Sequence, residues 1–489
     1  MNDSMVKYIL YKVMEFVGGF LLFPCIVALF YGEIEGFVYL GTAIVTGGIG
    51  ILGTRRKPTN HVFFAKEGFV SVALSWILIG MIGAIPFCIT REIPNFIDAL
   101  FETISGFTTT GASILTDVEK LSHCSLFWRS FTHWIGGMGV LVFILAVLPF
   151  SGGYNIHIMR AESPGPSVGK LVPRIKTTAM ILYGIYIAMT VMQIVILIVA
   201  GMPIFDAFTI SFGTAGTGGF GVLNSSVGSY SHLCQGIITV FMILFGVNFT
   251  VYYLFLMKKW KQGLQCEEVR WYLIIIALTT GIITINISGQ FKNVFEAFHH
   301  AIFHVASIIT TTGYAISDFN TWPTLSKTLL VMIMFIGACA GSTGGGLKVS
   351  RIIIYVKSVI NKIDTAVHPK RVKVVHLEKR RVNDVTINEV HSYLAAFILI
   401  FTLSMLIVSV DNFDFTTNFS AVAATINNIG PGLEQVGPTS NFSEYSNLSK
   451  LVFIFDMLIG RLEIFPMLVL FSPSVWKKNS KSTGLGMIS

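Results

Sequence analysis

Four short stretches of this sequence have residue types and spacing that could hold an ion with uncharged oxygens. They are Thr108-Thr109-Thr110-Gly111-Ala112, Gly216-Thr217-Gly218-Gly219-Phe220, Thr310-Thr311-Thr312-Gly313-Tyr314 and Asn427-Asn428-Ile429-Gly430-Pro431. An ion leaving water must exchange its hydration shell for fixed oxygens, and a ring of backbone carbonyls can supply them. Glycine allows the positive-φ backbone that turns such carbonyls inward. The expected contributors are Thr109, Thr110 and Gly111; Thr217, Gly218 and Gly219; Thr311, Thr312 and Gly313; and Asn428, Ile429 and Gly430, largely through main-chain oxygens. In the second stretch the adjacent glycines allow two registers. Oxygens without charge suit a monovalent cation, since divalent sites usually contain carboxylates.

A second constellation is Gly337-Ala338-Cys339-Ala340-Gly341-Ser342-Thr343-Gly344-Gly345-Gly346-Leu347-Lys348. So many glycines should break an otherwise apolar helix midway, and broken helix at membrane depth survives only beside protein or a water-filled path. We read Gly337, Gly341, Ser342, Thr343, Gly344, Gly345, Gly346 and Lys348 as a flexible gate below the four stretches; close helix packing through small residues is the alternative. Arg461 is the lone arginine within an apolar segment. Such a charge usually faces a cavity or a partner, so it is expected near the ion path, or paired with Glu463. His299, His300 and His304 have no acidic or cysteine ligand nearby in sequence and read as helix-surface residues. The six cysteines are scattered without a CxxC pair, which argues against a disulfide framework or zinc site.

The elements that must position these residues follow from composition. Of 489 residues, 53% are hydrophobic and only 12% charged, and mean hydropathy is +0.71. Ordinary soluble domains carry about 25% charged residues, so a soluble enzyme is excluded. Long apolar segments are read at about 8–31, 36–53, 69–89, 126–149, 177–200, 233–257, 270–289, 326–360, 391–410 and 446–472. The first is too long for a signal-peptide core and is expected to be a retained helix. A shorter apolar insert, too short to cross, follows the third, fifth, seventh and ninth segments and precedes each glycine stretch. Asp98, Asp206, His300 and Thr417 stand thirteen residues before Gly111, Gly219, Gly313 and Gly430. The expected fold is therefore all-α and polytopic: four pseudo-repeats of helix, pore half-helix, filter loop and helix around a central pore, plus two N-terminal helices. The expected division is 1–66 for the helix pair, then repeats at 67–150, 151–262, 263–362 with the gate loop, and 363–489 with a basic loop before it and a short tail after it.

Of the 34 lysines and arginines, 27 fall on one set of loops and six on the other. The positive-inside rule then puts both termini in the cytoplasm, with the inserts opening outward in an inner or plasma membrane. Half-helices entering from outside aim their partially negative C-termini at the membrane centre. Acidic residues such as Glu92, Asp98, Glu102, Asp206 and Asp414 should line the outer vestibule. The basic runs could meet lipid headgroups or an acidic partner, and nucleic-acid binding has little support. A coupled symporter would leave carboxylates at mid-membrane depth, and no convincing chain of them is legible. An embedded enzyme would need a reactive constellation that neither Cys339 nor the histidines form.

These residues resemble the Trk, Ktr and HKT superfamily of potassium transporters, most closely the membrane subunit of the bacterial Trk system. The resemblance rests on Thr108 to Ser113, His133-Trp134-Ile135-Gly136-Gly137-Met138-Gly139, Arg160-Ala161-Glu162-Ser163-Pro164-Gly165-Pro166, Thr310 to Ala315, Cys339 to Lys348, Asn427 to Leu433 and Gly460 to Phe465. It implies potassium as the transported ion, with filter glycines at Gly111, Gly219, Gly313 and Gly430. It also implies a gating loop at Gly337 through Gly346 and a pore-facing arginine at Arg461. It further implies a homodimer and a cytoplasmic, TrkA-like regulatory ring of nucleotide-binding domains.

Overall fold

The computed structural model describes residues 2–58, 64–139, 175–369, 374–378 and 380–476. The Arg160–Pro166 motif and the lysines at 477, 478 and 481 lie outside the described residues. An N-terminal pair, α1 (Asp3–Phe20) continued by α2 (Leu22–Tyr31) and α3 (Glu35–Thr54), precedes the repeats. The first repeat is α4 (Ala65–Ile89), α5 (Phe96–Phe107) and α6 (His123–Gly137). The second is α7 (Ile175–Val199), α8 (Ile204–Gly216), α9 (His232–Phe245) and α10 (Phe249–Leu256), with α11 (Trp260–Leu264) after it. The third is α12 (Glu267–Ile287), α13 (Val294–Ile309), α14 (Thr324–Ile336) and α15 (Val349–Val367). The fourth is α16 (Asp384–Val408), α17 (Phe415–Ile426) and α18 (Asn447–Leu462), followed by α19 (Phe465–Val469) and α20 (Pro473–Trp476). A two-strand hairpin, β1 (His376–Leu377) and β2 (Arg380–Arg381), sits in the basic loop before α16. The all-α, four-repeat architecture expected from the sequence is the one found.

Among the described residues six helical stretches, α1 with α2 counted as one, are long and apolar enough to cross a membrane, or seven if α9 and α10 count as one. The half-helices α5, α8, α13 and α17 have 12 to 16 residues, too short to span about 30 Å of hydrocarbon. Three start on side-chain caps: Asn95 accepts from the Ile97 N–H, Asn293 from Glu296 and Asp414 from Thr417; such caps contribute about 1 kcal/mol each.

The segment expected as one helix at 233–257 bends by 90° between α9 and α10. The cause lies in the third repeat. Its 337–348 loop takes up the backbone groups the break exposes: Cys339 N–H donates to Gly246 O (3.1 Å) and Phe249 N–H donates to Gly341 O (3.0 Å). The expected 326–360 helix is broken into α14 and α15 by that same loop.

The repeats close on one another along the loops that follow the half-helices. Asn224 joins repeats 1 and 2, accepting from Val118 N–H (2.8 Å) and donating to Asp117 (2.8 Å). Val227 N–H to Ala315 O (3.3 Å) joins 2 and 3. Asn320 and Glu434 join 3 and 4, and Phe442 N–H to Ser113 O (2.8 Å) joins 4 and 1. The ring of repeats is thereby complete.

Candidate functional site

Each half-helix ends in the same backbone turn. Thr109, Thr217, Thr311 and Asn428 adopt left-handed φ of 57°, 57°, 59° and 55°, and two residues on Gly111, Gly219, Gly313 and Gly430 are left-handed again at 79°, 78°, 84° and 99°. The intervening N–H reaches back five residues: Thr110 to Ser105 O, Gly218 to Gly213 O, Thr312 to Ser307 O and Ile429 to Ala424 O, at 2.8 to 2.9 Å. This pattern aligns Thr217-Gly218-Gly219 with the other three triplets, so the second register is the one ending at Gly219. A β-branched threonine in the left-handed region is strained by about 1–3 kcal/mol. That the strain recurs at three matched positions means the surrounding contacts impose it.

The four loops adjoin cyclically. A β-carbon on Gly111 would overlap Gly218 O, one on Gly219 would overlap Thr312 O, and one on Gly313 would overlap Ile429 O. One on Gly430 would lie 2.7 Å from Thr110 O, which returns to the first loop. Glycine is required here both for φ and for this contact between loops. The oxygens Thr109 Oγ1, Asn427 Oδ1 and Asn428 Oδ1 are buried and unpaired among the described residues.

Side chains behind the loops tie neighbours together. Phe220 N–H donates to His133 Nε2 (3.2 Å), so the ring's other nitrogen, 2.7 Å from Gly106 O, is the donor there. Tyr314 OH donates to Ile210 O (3.0 Å), linking loop 3 to half-helix 2. Asn428 Nδ2 donates to Thr110 Oγ1 (2.9 Å) and Met457 O (2.9 Å), linking loop 4 to loop 1 and to α18. Arg129 Nε donates to Glu102 Oε1 at 2.5 Å with both side chains almost fully buried. Glu102 also accepts from Ser113 Oγ and Ile114 N–H after loop 1, and Arg129 donates to Gly221 O after loop 2 and lies over the Phe220 ring.

The 337–348 loop lies against these triplets. Gly345 N–H donates to Thr311 Oγ1 (2.6 Å), and a β-carbon on Gly345 would lie 2.6 Å from Asn427 O. Lys348 Nζ donates to Gly344 O within the loop. Arg461 reaches it from α18: Nη1 donates to Thr343 O (2.8 Å), while Nη2 donates to Gly136 O (2.5 Å) and Gly137 O (2.6 Å) at the end of α6. The loop carries Gly337, Gly341 and Gly346 with φ of 73° each. Ser342 Oγ donates to Cys339 O (2.6 Å). Glu463, the alternative partner for Arg461, is ion-paired with Arg351.

Several expectations need correction. Glu102 does not line an outer vestibule; it is buried against Arg129, and Asp98 is likewise neutralised by Lys450 at 2.6 Å. Asp414 is the N-cap of α17, where the Thr417 hydroxyl first and then backbone N–H groups hold its carboxyl below the ordinary value. His304 is not on a helix surface: it is fully buried, with one ring nitrogen 2.9 Å from His300 O and the other 3.1 Å from Ser317 O. Buried carboxylates also exist where none was legible. Glu268 accepts from loop amides and Asp456 accepts from Ser404 Oγ. Arg129, Glu102, His133 and Glu268 were missed as positioning residues; only His133, just before Gly136-Gly137, stands in a glycine-bearing motif.

Over residues 42–479 the sequence matches the family described as TrkH, cation transport protein. It is 37% identical over 469 residues to the Trk system potassium uptake protein TrkH of Salmonella typhimurium, covering 94% of this chain and 96% of that protein. It is 34% identical over 464 residues to TrkG of Escherichia coli K12, covering 93% and 94%. The fold superposes on the crystal structure of the potassium transporter TrkH from Vibrio parahaemolyticus with a TM-score of 0.87 and 32% identity, covering 98% of this chain and 100% of that one.

Proposed function

The chain belongs to the TrkH family of cation transport proteins, and from that premise we propose that it carries potassium into the cell through a filter formed by its four loops. The cyclic abutment of Gly111, Gly219, Gly313 and Gly430 on the next loop's carbonyl is the observation that carries this reading. A ring closed in this way holds Thr109 to Gly111, Thr217 to Gly219, Thr311 to Gly313 and Asn428 to Gly430 around one axis, where their oxygens replace the hydration shell of a monovalent ion. The unpaired Thr109, Asn427 and Asn428 oxygens supply further acceptors. The C-termini of the four half-helices add negative potential beneath it.

The 337–348 loop is the gate in this reading. It touches filter loop 3 through Thr311 and filter loop 4 through Asn427, and Arg461 holds it from the adjoining fourth repeat. A cytoplasmic regulatory subunit of the Trk type governs its opening, and the basic loops face that subunit and the lipid headgroups on the cytoplasmic side.

Rubidium-86 uptake into proteoliposomes tests the proposal. The wild-type chain is expected to take up the label in competition with potassium far better than with sodium. Gly111→Ser, whose side chain must displace the Gly218 carbonyl, is expected to raise sodium competition. Unaltered ion preference in a folded Gly111→Ser protein would overturn the filter assignment. Running the same assay with and without a proton gradient separates passive flow from coupled uptake.

A further inference from the structure

The first turn of α12 holds two adjacent glutamates whose partners lie on opposite sides of the gate machinery. Glu268 is 4% exposed, and its Oε1 accepts from Ala340 N–H (2.7 Å) and Ser350 N–H (3.0 Å). These amides lie one within the 337–348 loop and one just past its far end, so a single oxygen clamps its two legs together. The Ser350 bond also serves the N-terminus of α15, whose own N-cap residue, Lys348, makes no side-chain cap bond. Glu267 points to the cytoplasmic hairpin instead. Its Oε1 accepts from Lys357 Nζ (2.5 Å) and its Oε2 from Glu378 N–H (3.2 Å). Lys357 Nζ also donates to His376 O (2.8 Å), and the Cys266 thiol donates to Glu378 Oε1 (2.8 Å). Val375 and Val382, on either side of the hairpin strands, pack with Ile354 of α15 and Val390 of α16.

We propose that Glu268 is a positioning residue that sets the shape of the 337–348 loop, and that Glu267 connects it to the His376–Arg381 hairpin, the element through which a cytoplasmic protein moves the loop. Both carboxylates leave the same helical turn, so a hairpin displaced from Glu267 tilts or frays the turn that carries Glu268. The loop then loses the acceptor that Ala340 and Ser350 share, leaving the legs held by the Val349 N–H bond to Ala338 O (3.2 Å). This rests on the reading of that loop as a gate, and deepens it by naming the route of control. A carboxylate serving only as a static cap for α15 would be insensitive to Glu267.

Hydrogen exchange of the full-length protein in detergent or nanodiscs, beside rubidium-86 flux in proteoliposomes, tests the proposal. Glu268→Ala is expected to speed exchange of the 338–350 amides by at least about tenfold, the equivalent of one charge-assisted hydrogen bond, and to raise basal flux. Glu268→Gln keeps shape and an acceptor while removing charge, and is expected to fall between, which also covers a failure of the alanine variant to fold. Glu267→Gln is expected to speed exchange in the hairpin and, in the same protein, in the 338–350 loop. Exchange confined to the hairpin in Glu267→Gln overturns the connection, and unaltered loop exchange in both Glu268 variants overturns the positioning role. Faster loop exchange with unaltered flux leaves the connection standing and refutes the gate instead.

Discussion

Arg461→Ala separates the proposed gate from the scaffold, because the arginine bonds both the 337–348 loop and the end of α6. Two of its hydrogen bonds go to Gly136 O and Gly137 O at the C-terminal end of α6, the first of which also accepts from Gly139 N–H (3.1 Å). Those bonds join repeat 4 to repeat 1 without touching the loop. A further bond goes to Thr343 O on the loop, at 2.8 Å, and is the one expected to break if the loop moves. A hydrogen bond to a charged group contributes about 1.5–3 kcal/mol, so losing the Thr343 bond should raise the open-to-closed ratio roughly 10- to 150-fold. Flux follows that ratio directly while the resting open fraction is small. Losing the two α6 bonds should appear as a lower melting temperature. Arg461→Lys, with a single ammonium in place of a fork, can reach only one of the two carbonyl groups at a time and should lie between. Rubidium-86 flux through proteoliposomes lacking any cytoplasmic subunit, read beside thermal melting, measures both effects. Lower stability with unaltered flux in the alanine variant would refute the assignment of the Thr343 contact to gating.

Three further outcomes are expected. Alanine at Gly111, Gly219 or Gly313 should abolish selective uptake, whereas Gly430→Ala should be the mildest of the four, because its β-carbon meets Thr110 O at 2.7 Å instead of overlapping a carbonyl; competition uptake ranks them. Removing one partner of the buried Glu102–Arg129 pair should destabilise the protein by about 3–5 kcal/mol and loosen filter loops 1 and 2 together, read as melting temperature and ion preference; Glu102→Gln with Arg129→Met should recover part of the stability. Glu33, which accepts from the His123 and Cys124 N–H groups at the start of α6, titrates below its ordinary value of 4.5: burial opposes ionisation, but those N–H bonds outweigh it. Its contribution is therefore fully present above 4.5 and lost as pH falls through the lower folded-state value. Exchange at the first turn of α6 should rise over that window, and Glu33→Gln should remove the dependence.

The sequence by itself determined the repeat plan. Segment length, half-helices too short to cross, and glycines recurring after matched inserts are local signals, and each is written within about twenty residues. The break at Gly337 to Gly346 was legible for the same reason, since that many glycines cannot sustain a helix. Only the tertiary structure decided which loop meets which. The cyclic order of the glycines, the Gly219 register, the bend at Gly246 and the burial of Glu102 each depend on partners brought together across repeats. Arg461 and Glu463 illustrate the limit: neighbours in sequence, they diverge because Glu463 faces Arg351 while Arg461 faces carbonyls on α6 and the loop. Periodicity encodes which face a residue occupies. It carries no record of what a residue more than three hundred positions away presents to that face, and in a ring of four repeats that distant contact sets how the four glycine loops meet.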